Sequence, residues 1–244
     1  MLPGLLSAGV FAGLAAGGYF YAGLFPTSQL FGRTLLAGPD VHELALTFDD
    51  GPNDPYTFQL LEILARHQVR AIFFMVGNFV RQRPDIARAV RQAGHMIGNH
   101  TMSHPSLMWE RPAKVREELA GCNATIEDTI GERVEWFRPP FGARRPDVLQ
   151  TARELGLTPV MWNVTAHDWD ATDPSALEAR IRRGIQDNQR RGRASNILLH
   201  DGGHLEIGTD RSVTVRTVAT LLDSWSGTEQ RLVTIDTWRS MRMA

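Results

Sequence analysis

Thr47-Phe48-Asp49-Asp50-Gly51-Pro52 follows directly on the apolar run Leu44-Ala45-Leu46 and decides how the chain folds. A short apolar run that ends in a Gly-Pro turn signal predicts a buried strand. Burying carboxylates is costly, so a buried strand that ends in two of them indicates a site, although a solvated Asp-Asp-Gly turn is the alternative. Neighbouring strand residues point to opposite faces, so Asp49 and Asp50 can share one site only if the strand breaks. We expect that break at Gly51-Pro52.

The composition indicates one sizeable domain. The chain has 244 residues and a formal net charge of -1, which is long enough for a single domain with its own core. The near-neutral charge gives no electrostatic basis for binding nucleic acid. Cys122 is the single cysteine, which excludes an internal disulfide framework and a zinc site built from several cysteines.

Residues 1–32 carry no charged side chain, and the run from Leu2 to Phe25 exceeds the roughly 20 residues that cross a bilayer as a helix. A signal peptide is disfavoured because a basic n-region is missing, and a buried or disordered arm is a third interpretation. We therefore expect residues 1–32 to be a membrane anchor. Arg33 follows the segment, and no Lys or Arg precedes it, so the domain can also face the cytoplasm.

Beyond a connector at residues 33–42, strand and helix patterns alternate as far as residue 240. Seven candidate strands are residues 43–49, 70–76, 95–98, 134–138, 157–162, 196–200 and 231–235. The candidate helices are residues 57–67, 84–93, 112–130, 146–155, 173–189 and 211–224. This alternation predicts a parallel α/β sheet with right-handed crossovers. The pattern alone allows an open doubly wound sheet and a closed or partly closed barrel.

Residues that can carry chemistry follow the C-terminal ends of these candidate strands. In α/β folds, functional sites are built at that edge of the sheet. The residues concerned are Asp49, Asp50, His100, His104, Arg138, Asp168 and His200.

His100-Thr101-Met102-Ser103-His104 places two imidazoles four residues apart. On a helical turn they share one face and can bind one metal ion. A metalloprotease helix would carry Glu where Thr101 stands, so that class is disfavoured. Two histidines and one carboxylate, with a position left for water, form a catalytic zinc set. Either Asp49 or Asp50 can supply the carboxylate, which leaves the other as a base.

Three later segments extend these two motifs in a fixed order: Arg138-Pro139-Pro140-Phe141-Gly142, Asp168-Trp169 and Leu198-Leu199-His200. The five motifs together resemble the polysaccharide deacetylase family, also called the NodB homology domain or carbohydrate esterase family 4. The resemblance spans residues 43–240 and implies a distorted, incomplete (β/α) barrel of about seven parallel strands. It also implies a hydrolase that releases acetate from an N-acetylated sugar of a cell-envelope glycan such as peptidoglycan or a chitin-like polymer.

The resemblance implies that Asp50, His100 and His104 hold a divalent metal, most often zinc, with cobalt or nickel as alternatives. Asp49 would then be the general base that takes a proton from water. Arg138 resembles the arginine that orients this base, and a guanidinium fork suits a carboxylate partner.

The same resemblance implies that His200 is the general acid for the leaving amine, with Asp168 as the partner that favours its charged form. The backbone N–H of Phe141 would bind the oxyanion. Trp169 and Leu198 would form the apolar groove for the acetyl methyl group, although either residue can simply belong to the core.

Departures from the family pattern are few. Thr165 stands where an Asp is common, which puts the network around Asp168 in doubt, and Phe141 stands where Tyr is common. His204 and Asp210 follow the fifth motif and are expected in a solvated loop.

Other activities remain open at this point. A deacetylase or amidase for a small molecule, a lipid-linked sugar or an O-acetylated glycan such as xylan would use the same motifs. An inactive carbohydrate-binding module is a rival from another class. A glycosidase is disfavoured, because its carboxylates flank a bond at about 5 Å or more, which sequence neighbours cannot easily do. The sequence gives no indication of the oligomeric state.

Overall fold

A computed structural model describes residues 17–240, which are organised round one parallel sheet. Its strands are β1 Glu43–Gly51, β2 Ile72–Met75, β3 Met96–Asn99, β4 Trp136–Phe137, β5 Thr158–Pro159, β6 Val164–Thr165, β7 Ser195–His200 and β8 Arg231–Leu232. The helices are α1 at residues 17–24, α2 Tyr56–Arg66, α3 Gly77–Gln82, α4 Pro84–Gln92, α5 Pro112–Ile130, α6 Pro146–Glu154, α7 Pro174–Arg190, α8 Ser212–Trp225 and α9 Thr237–Ser240. Two 3-10 turns lie at Pro140–Gly142 and Asp168–Asp170.

Strand β1 is the centre of the sheet. It pairs in parallel with β2 on one side and β7 on the other, and its first residues also pair with β8. Every residue of β1 is buried, as expected for a parallel strand covered on both faces. On one face Phe48 stacks on Phe73 of β2, with ring centroids 4.9 Å apart. The predicted apolar run therefore forms the centre of the core.

The sheet is curled, as its strand order shows. The order is β5-β4-β3-β2-β1-β7-β6, so β5 and β6 are its two edges. Only residues 160–163 separate these edge strands in the sequence. A link of four residues spans at most about 14 Å, so the two edges must approach each other. The distorted, incomplete barrel is confirmed, and an open doubly wound sheet is excluded.

Residues before β1 bridge the gap between the two edges. The backbone N–H of Leu35 donates to Pro159 O at 2.8 Å, and Leu35 O accepts from the N–H of Met161 at 2.8 Å. On the other side Leu36 O accepts from Asn196 Nδ2 at 3.0 Å. The sequence predicted residues 33–42 as a connector, and in the structure part of this stretch pairs with β5 and contacts β7.

Proline and aspartate begin several helices. Pro84, Pro112, Pro146 and Pro174 each stand in the first turn of a helix, where the missing N–H has no helical acceptor to lose. At α7 the side chain of Asp173 also accepts hydrogen bonds from the N–H groups of two first-turn residues. These signals explain why the predicted helix starts agree with the structure within about two residues.

The break in β1 was predicted in the wrong place. The strand continues to Gly51, and its register with β2 shifts between Asp49 and Gly51. Asp50 has φ of 71°, a left-handed conformation that aspartate tolerates better than most residues. This bulge at Asp50, and not the Gly51-Pro52 turn, brings both carboxylates to one site.

Strand β6 and helix α3 were not predicted. β6 has only two residues, and its hydrogen bonds to β7 depend on the curl of the sheet. α3 has six residues and begins with glycine, so it carries no helical period that a sequence pattern could reveal.

The N-terminal anchor interpretation falls largely on residues 1–16, which lie outside the described residues. Within residues 17–240, no helix is both long and apolar enough to cross a bilayer. In α1, Tyr19, Phe20 and Tyr21 are exposed, whereas Ala22 is buried against the domain.

Replacing Phe48 by alanine is expected to destabilise the protein strongly. The side chain is fully buried, so the cavity should lower the free energy of unfolding by about 3–5 kcal/mol. Leu205→Ala is the control, because Leu205 is 84% exposed and its truncation should change stability by less than about 0.5 kcal/mol. Urea unfolding followed by circular dichroism measures both. Equal losses in the two variants would contradict a core centred on β1.

Candidate active site

A cavity of about 640 Å³ opens at the C-terminal ends of β1 and β7. Eight of the ten residues that the sequence predicted for the site line it. The other two, Arg138 and Asp168, lie behind the wall and bond to residues of the lining. The predicted residues that line the cavity are Asp49, Asp50, His100, His104, Phe141, Trp169, Leu198 and His200.

Asp50, His100 and His104 form a buried cluster that can hold a metal ion. Oδ1 of Asp50 lies 3.3 Å from Nε2 of His100 and 3.1 Å from Nε2 of His104. The three potential ligand atoms lie within 4.8 Å of one another. Asp50 Oδ1 makes no hydrogen bond within the described part of the chain, although it is buried. A buried carboxylate oxygen without a donor, facing two imidazole nitrogens, fits a cation ligand set.

The protonation of the cluster also suits a metal. Nδ1 of His100 lies 2.8 Å from the carbonyl oxygen of Arg138, which can only accept, so Nδ1 carries the proton and Nε2 is free. Burial lowers the pKa of His104. Burial would raise the pKa of Asp50, but the two imidazoles that face its carboxylate hold that pKa well below its usual range. Neutral imidazoles and an ionised carboxylate are the forms that bind metal.

The two histidines lie on a loop and not on a helical turn, the arrangement that the sequence analysis considered. Residues 100–104 form a loop in which Thr101 and His104 have φ of 66° and 59°. The N–H of Thr101 donates to Asn99 Oδ1 at 2.8 Å, and the N–H of His104 donates to Thr101 Oγ1 at 3.0 Å. Side-chain hydrogen bonds replace the helical pattern here, so this loop, and not helical spacing, brings the imidazoles together.

Asp49 is held by Arg138 beside the cluster. Nη1 of Arg138 donates to Asp49 Oδ1 and to Thr47 Oγ1, each at 2.8 Å. The guanidinium also lies 4.2 Å from the ring centroid of Phe74. The second oxygen of Asp49 remains 3.7 Å from Nε2 of His100. Asp49 therefore has one oxygen fixed in the interior and one directed at the metal cluster.

His200 forms a second acid-base pair with Asp168. Its backbone N–H donates to Asp168 Oδ2, and its Nδ1 lies 2.8 Å from Oδ1 of the same carboxylate. Thr214 Oγ1 donates to Oδ2 at 2.9 Å. Burial opposes charge on His200, but the Asp168 carboxylate outweighs it and raises the pKa of His200 to about 9. His200 is therefore a cationic proton donor at neutral pH.

Three predicted substrate residues surround the reacting groups. Phe141 is 56% exposed and has φ of 57°, and its ring centroid lies 4.7 Å from that of His104. Trp169 meets the His200 ring edge-on at 5.3 Å, and Leu198 is buried in the cavity wall. Their placement fits the predicted roles, which stay predictions.

Several residues of the site were missed or misjudged from the sequence. Trp162 lines the cavity, and its indole N–H donates to Thr165 Oγ1 at 2.6 Å. The hydrogen bonds between Asp168 and His200 are present although Thr165 stands where an Asp is common in the family. Trp162 ends a candidate strand, and the rule that sites follow strand ends could have found it. His204 lies in an exposed loop, as expected, and its ring also stacks on His104 with centroids 4.8 Å apart. Nothing in the sequence pattern indicates that contact.

Three residues that can hold a metal ion, a carboxylate held by an arginine and a cationic histidine lie together in an incomplete (β/α) barrel, and these are the groups that metal-assisted hydrolysis requires. A sequence profile described as Polysaccharide deacetylase matches residues 37–160. This protein belongs to the polysaccharide deacetylase family.

Two relatives illustrate the similarity in sequence. A chitooligosaccharide deacetylase from Azorhizobium caulinodans is 39% identical over 158 residues, which cover 64% of this chain and 72% of the relative. A peptidoglycan-N-acetylglucosamine deacetylase from Bacillus cereus is 34% identical over 192 residues, which cover 79% of this chain and 85% of the relative.

Solved structures show the same fold. A peptidoglycan N-acetylglucosamine deacetylase aligns with a TM-score of 0.71 at 28% identity, over 83% of this chain and 91% of the other. A Bacillus anthracis protein described as a CE4 family pseudoenzyme aligns with a TM-score of 0.72 at 26% identity, over 82% of this chain and 66% of the other. Because the fold occurs with and without activity, the site residues must carry the functional argument.

Asp168→Asn is expected to move the alkaline limb of the kcat profile to lower pH. The Asp168 carboxylate raises the pKa of His200 to about 9, so the acid form of His200 persists until pH rises through that value. Without the negative charge the limb should move down by about 1–3 pH units. Asp170→Asn, an exposed change in the same turn, is the control. An alkaline limb that stays in place in Asp168→Asn would rule out His200 as the acid.

Proposed function

We propose that this protein removes the N-acetyl group from N-acetylglucosamine units of a cell-envelope glycan and releases acetate. The observation that carries the proposal is the buried cluster of Asp50, His100 and His104 in one cavity with Asp49, which Arg138 holds from behind the cavity wall. The relatives named chitooligosaccharide and peptidoglycan-N-acetylglucosamine deacetylases support this substrate class.

The ligand set supports zinc as the metal. Two neutral imidazoles and one carboxylate, with a position left for water, are a common catalytic zinc set, and cobalt or nickel are the alternatives. Asp50, His100 and His104 would hold the ion. When bound, the ion supplies a Lewis acid that makes water a better nucleophile and polarises the acetyl carbonyl.

Asp49 takes the proton from the attacking water. Its Oδ1 is held by Arg138, so Oδ2 is the oxygen that faces the reacting atoms. A carboxylate is a weak base, and its fixed position matters more than its intrinsic basicity. As the oxygen–carbon bond forms, the carbonyl oxygen gains negative charge. The backbone N–H of Phe141 stabilises that charge.

His200 supplies the proton that lets the carbon–nitrogen bond break. An amine leaves only when it is protonated, because an amide anion is a very poor leaving group. Asp168 holds Nδ1, so Nε2 of the imidazolium is the donor. The proton moves from Nε2 to the sugar nitrogen as the carbon–nitrogen bond breaks, giving acetate and a free amine. Asp49 and His200 thus act as separate base and acid.

The cavity wall suits the acetyl group of a sugar. Leu198 and Trp162 are buried side chains of the wall, and Trp169 is half-exposed beside His200. An apolar recess of this kind holds a methyl group, while the exposed ring of Phe141 at the mouth can stack on a sugar face. The cavity therefore fits an acetamido group at the end of an open groove.

Metal content and acetate release together test the proposal. We expect about one metal ion per chain in the wild type and in Asp49→Asn, and little in His104→Ala, which lacks a ligand. Acetate should come from the wild type, while Asp49→Asn loses about 100- to 10,000-fold in rate. His67→Ala is the control, because His67 lies on α2's C-terminal cap and pairs with Asp223.

The substrates for this test are N-acetylglucosamine oligomers and purified peptidoglycan. Bound metal without acetate from either would contradict the proposed substrate and favour acetyl esters, small molecules or lipid-linked sugars. A wild-type chain that binds no metal even with added zinc would refute the hydrolase mechanism and favour a binding module.

We further propose that the N-terminal residues anchor the domain in a membrane of the bacterial cell envelope. Residues 1–32 carry no charge. Tyr19, Phe20, Tyr21 and Trp109 form an exposed aromatic surface, with the rings of Phe20 and Trp109 6.2 Å apart. Aromatic rings are enriched at membrane–water interfaces, so this surface supports a position at the bilayer.

Leu14→Arg is expected to release the full chain from lipid vesicles. An arginine in the middle of an inserted helix costs about 2.5–3.5 kcal/mol, which lowers the bound fraction. Leu30→Arg is the matched control, because Leu30 is 73% exposed outside the apolar run and the charge can stay in water. Flotation of both variants with vesicles measures binding. Wild-type protein that does not float would refute the anchor.

A further inference from the structure

Arg144 is a buried cation whose hydrogen bonds all go to backbone carbonyls. Its side chain is about 1% exposed, and burial lowers the pKa of Arg144 to about 10. Nη1 donates to Gly142 O at 2.9 Å, and Nη2 donates to Phe25 O at 2.9 Å and Ser28 O at 2.7 Å. Within residues 17–240, no carboxylate forms an ion pair with Arg144, and burial alone shifts its pKa. A buried charge with only carbonyl acceptors depends on all of them.

Two of these acceptors belong to a segment before the barrel, residues 22–28, which we call the docking segment. Its contact with the domain is close, because Gly23 O also accepts from the N–H of Arg144 at 3.0 Å and, as a fourth acceptor of the guanidinium, from Nη1 at 3.4 Å. A Cβ atom at Gly23 would lie 2.1 Å from Cε of Met108 and 3.0 Å from Arg144 O. A side chain at this position would displace Met108 and press on the backbone of Arg144, so the docking segment packs closely on the loop after Phe141.

The third acceptor belongs to the turn that carries Phe141. Gly142 N–H donates to Pro139 O, and Ala143 N–H donates to Pro140 O, each at 2.9 Å. Phe141 has φ of 57°, a left-handed conformation that a bulky residue adopts only when its surroundings hold it. The hydrogen bond from Arg144 to Gly142 O holds the next residue of this turn.

We propose that Arg144 is a positioning residue that couples the docking segment to the turn presenting Phe141. The docking segment is then part of the catalytic unit and not only a tether. The inference rests on the proposed function, in which the backbone N–H of Phe141 binds the oxyanion. Displacing that turn weakens oxyanion binding without touching the metal ligands.

Arg144→Met in the full chain tests the positioning role. Methionine fills similar space but cannot donate, so kcat on N-acetylglucosamine oligomers should fall about tenfold or more. KM should change less than about threefold, because the loss is confined to the transition state. Metal content should stay at the wild-type value. Arg144→Lys, which keeps the charge but reaches fewer carbonyls, should restore part of kcat.

Arg153→Met is the matched control. Nη2 of Arg153 also donates to a backbone carbonyl before the barrel, that of Arg33, at 2.9 Å, but Arg153 is exposed and does not bond to the Phe141 turn. Its kcat should equal that of the wild type. Equal losses in Arg153→Met and Arg144→Met would show a general effect of loosening the N-terminal residues and overturn the proposal.

Gly23→Val tests the same coupling by a change in the docking segment. The added side chain meets Met108 and the backbone of Arg144, so it should push the docking segment away and lower kcat as Arg144→Met does. If both changes break one coupling, the double variant should lose no more than the worse single variant. Losses that multiply in the double variant would overturn the proposal.

Hydrogen exchange measures the coupling independently of enzyme activity. The amides of Gly142 and Ala143 are hydrogen-bonded, so a peptide covering residues 138–145 should be protected in the wild type. Gly23→Val should speed exchange in that peptide, although the substitution lies in another part of the sequence. Unchanged exchange would overturn the coupling even if the enzyme is active. Faster exchange in a protein that releases no acetate would keep the coupling and reject the proposed function.

Discussion

The buried ion pair between Arg138 and Asp49 connects the fold to the site. Arg138 follows β4, and its guanidinium crosses the interior of the barrel to Thr47 and Asp49 on β1. It stacks on Phe74 of β2 and is completely buried. Removing one partner of such a pair leaves an uncompensated buried charge, which typically costs about 3–5 kcal/mol. Asp49, the proposed base, is therefore fixed by the same interaction that fills the barrel interior.

The titratable groups along one edge of the sheet have different surroundings, which shift their pKa values in opposite directions. Burial would raise the pKa of Asp50, but the two imidazoles that face it keep this pKa low, so the carboxylate is anionic and can act as the proposed metal ligand. Asp168 keeps the pKa of His200 high, so it stays a proton donor. Groups whose pKa values are pushed apart can act as ligand, base and acid at one pH. These pKa shifts belong to the side chains of the site and not to the fold as such, because the fold also occurs in a protein described as a pseudoenzyme.

The sequence could predict what depends on local pattern. The apolar run before Asp49 identified the central strand, and strand ends located the other polar residues on one edge. It could not predict the left-handed bulge at Asp50. It could not predict the loop that brings His100 and His104 together either, because the N–H of Thr101 donates to Asn99 Oδ1, and Asn99 is held in turn by its hydrogen bond to Leu119 O on α5. Strand β6 could not be predicted either, because its pairing with β7 requires the curled sheet. These are tertiary effects that override local pattern.

The incomplete barrel explains why residues before β1 matter to the site. A closed barrel would pair β5 with β6, but here the gap is bridged by Leu35 and Leu36, which bond to the β5 region and to β7. Just ahead of them the docking segment bonds to Arg144, next to the turn of Phe141. An unpaired edge requires some cover for its backbone groups. Because that cover comes from the N-terminal stretch, the part of the chain closest to the proposed anchor also supports the catalytic edge.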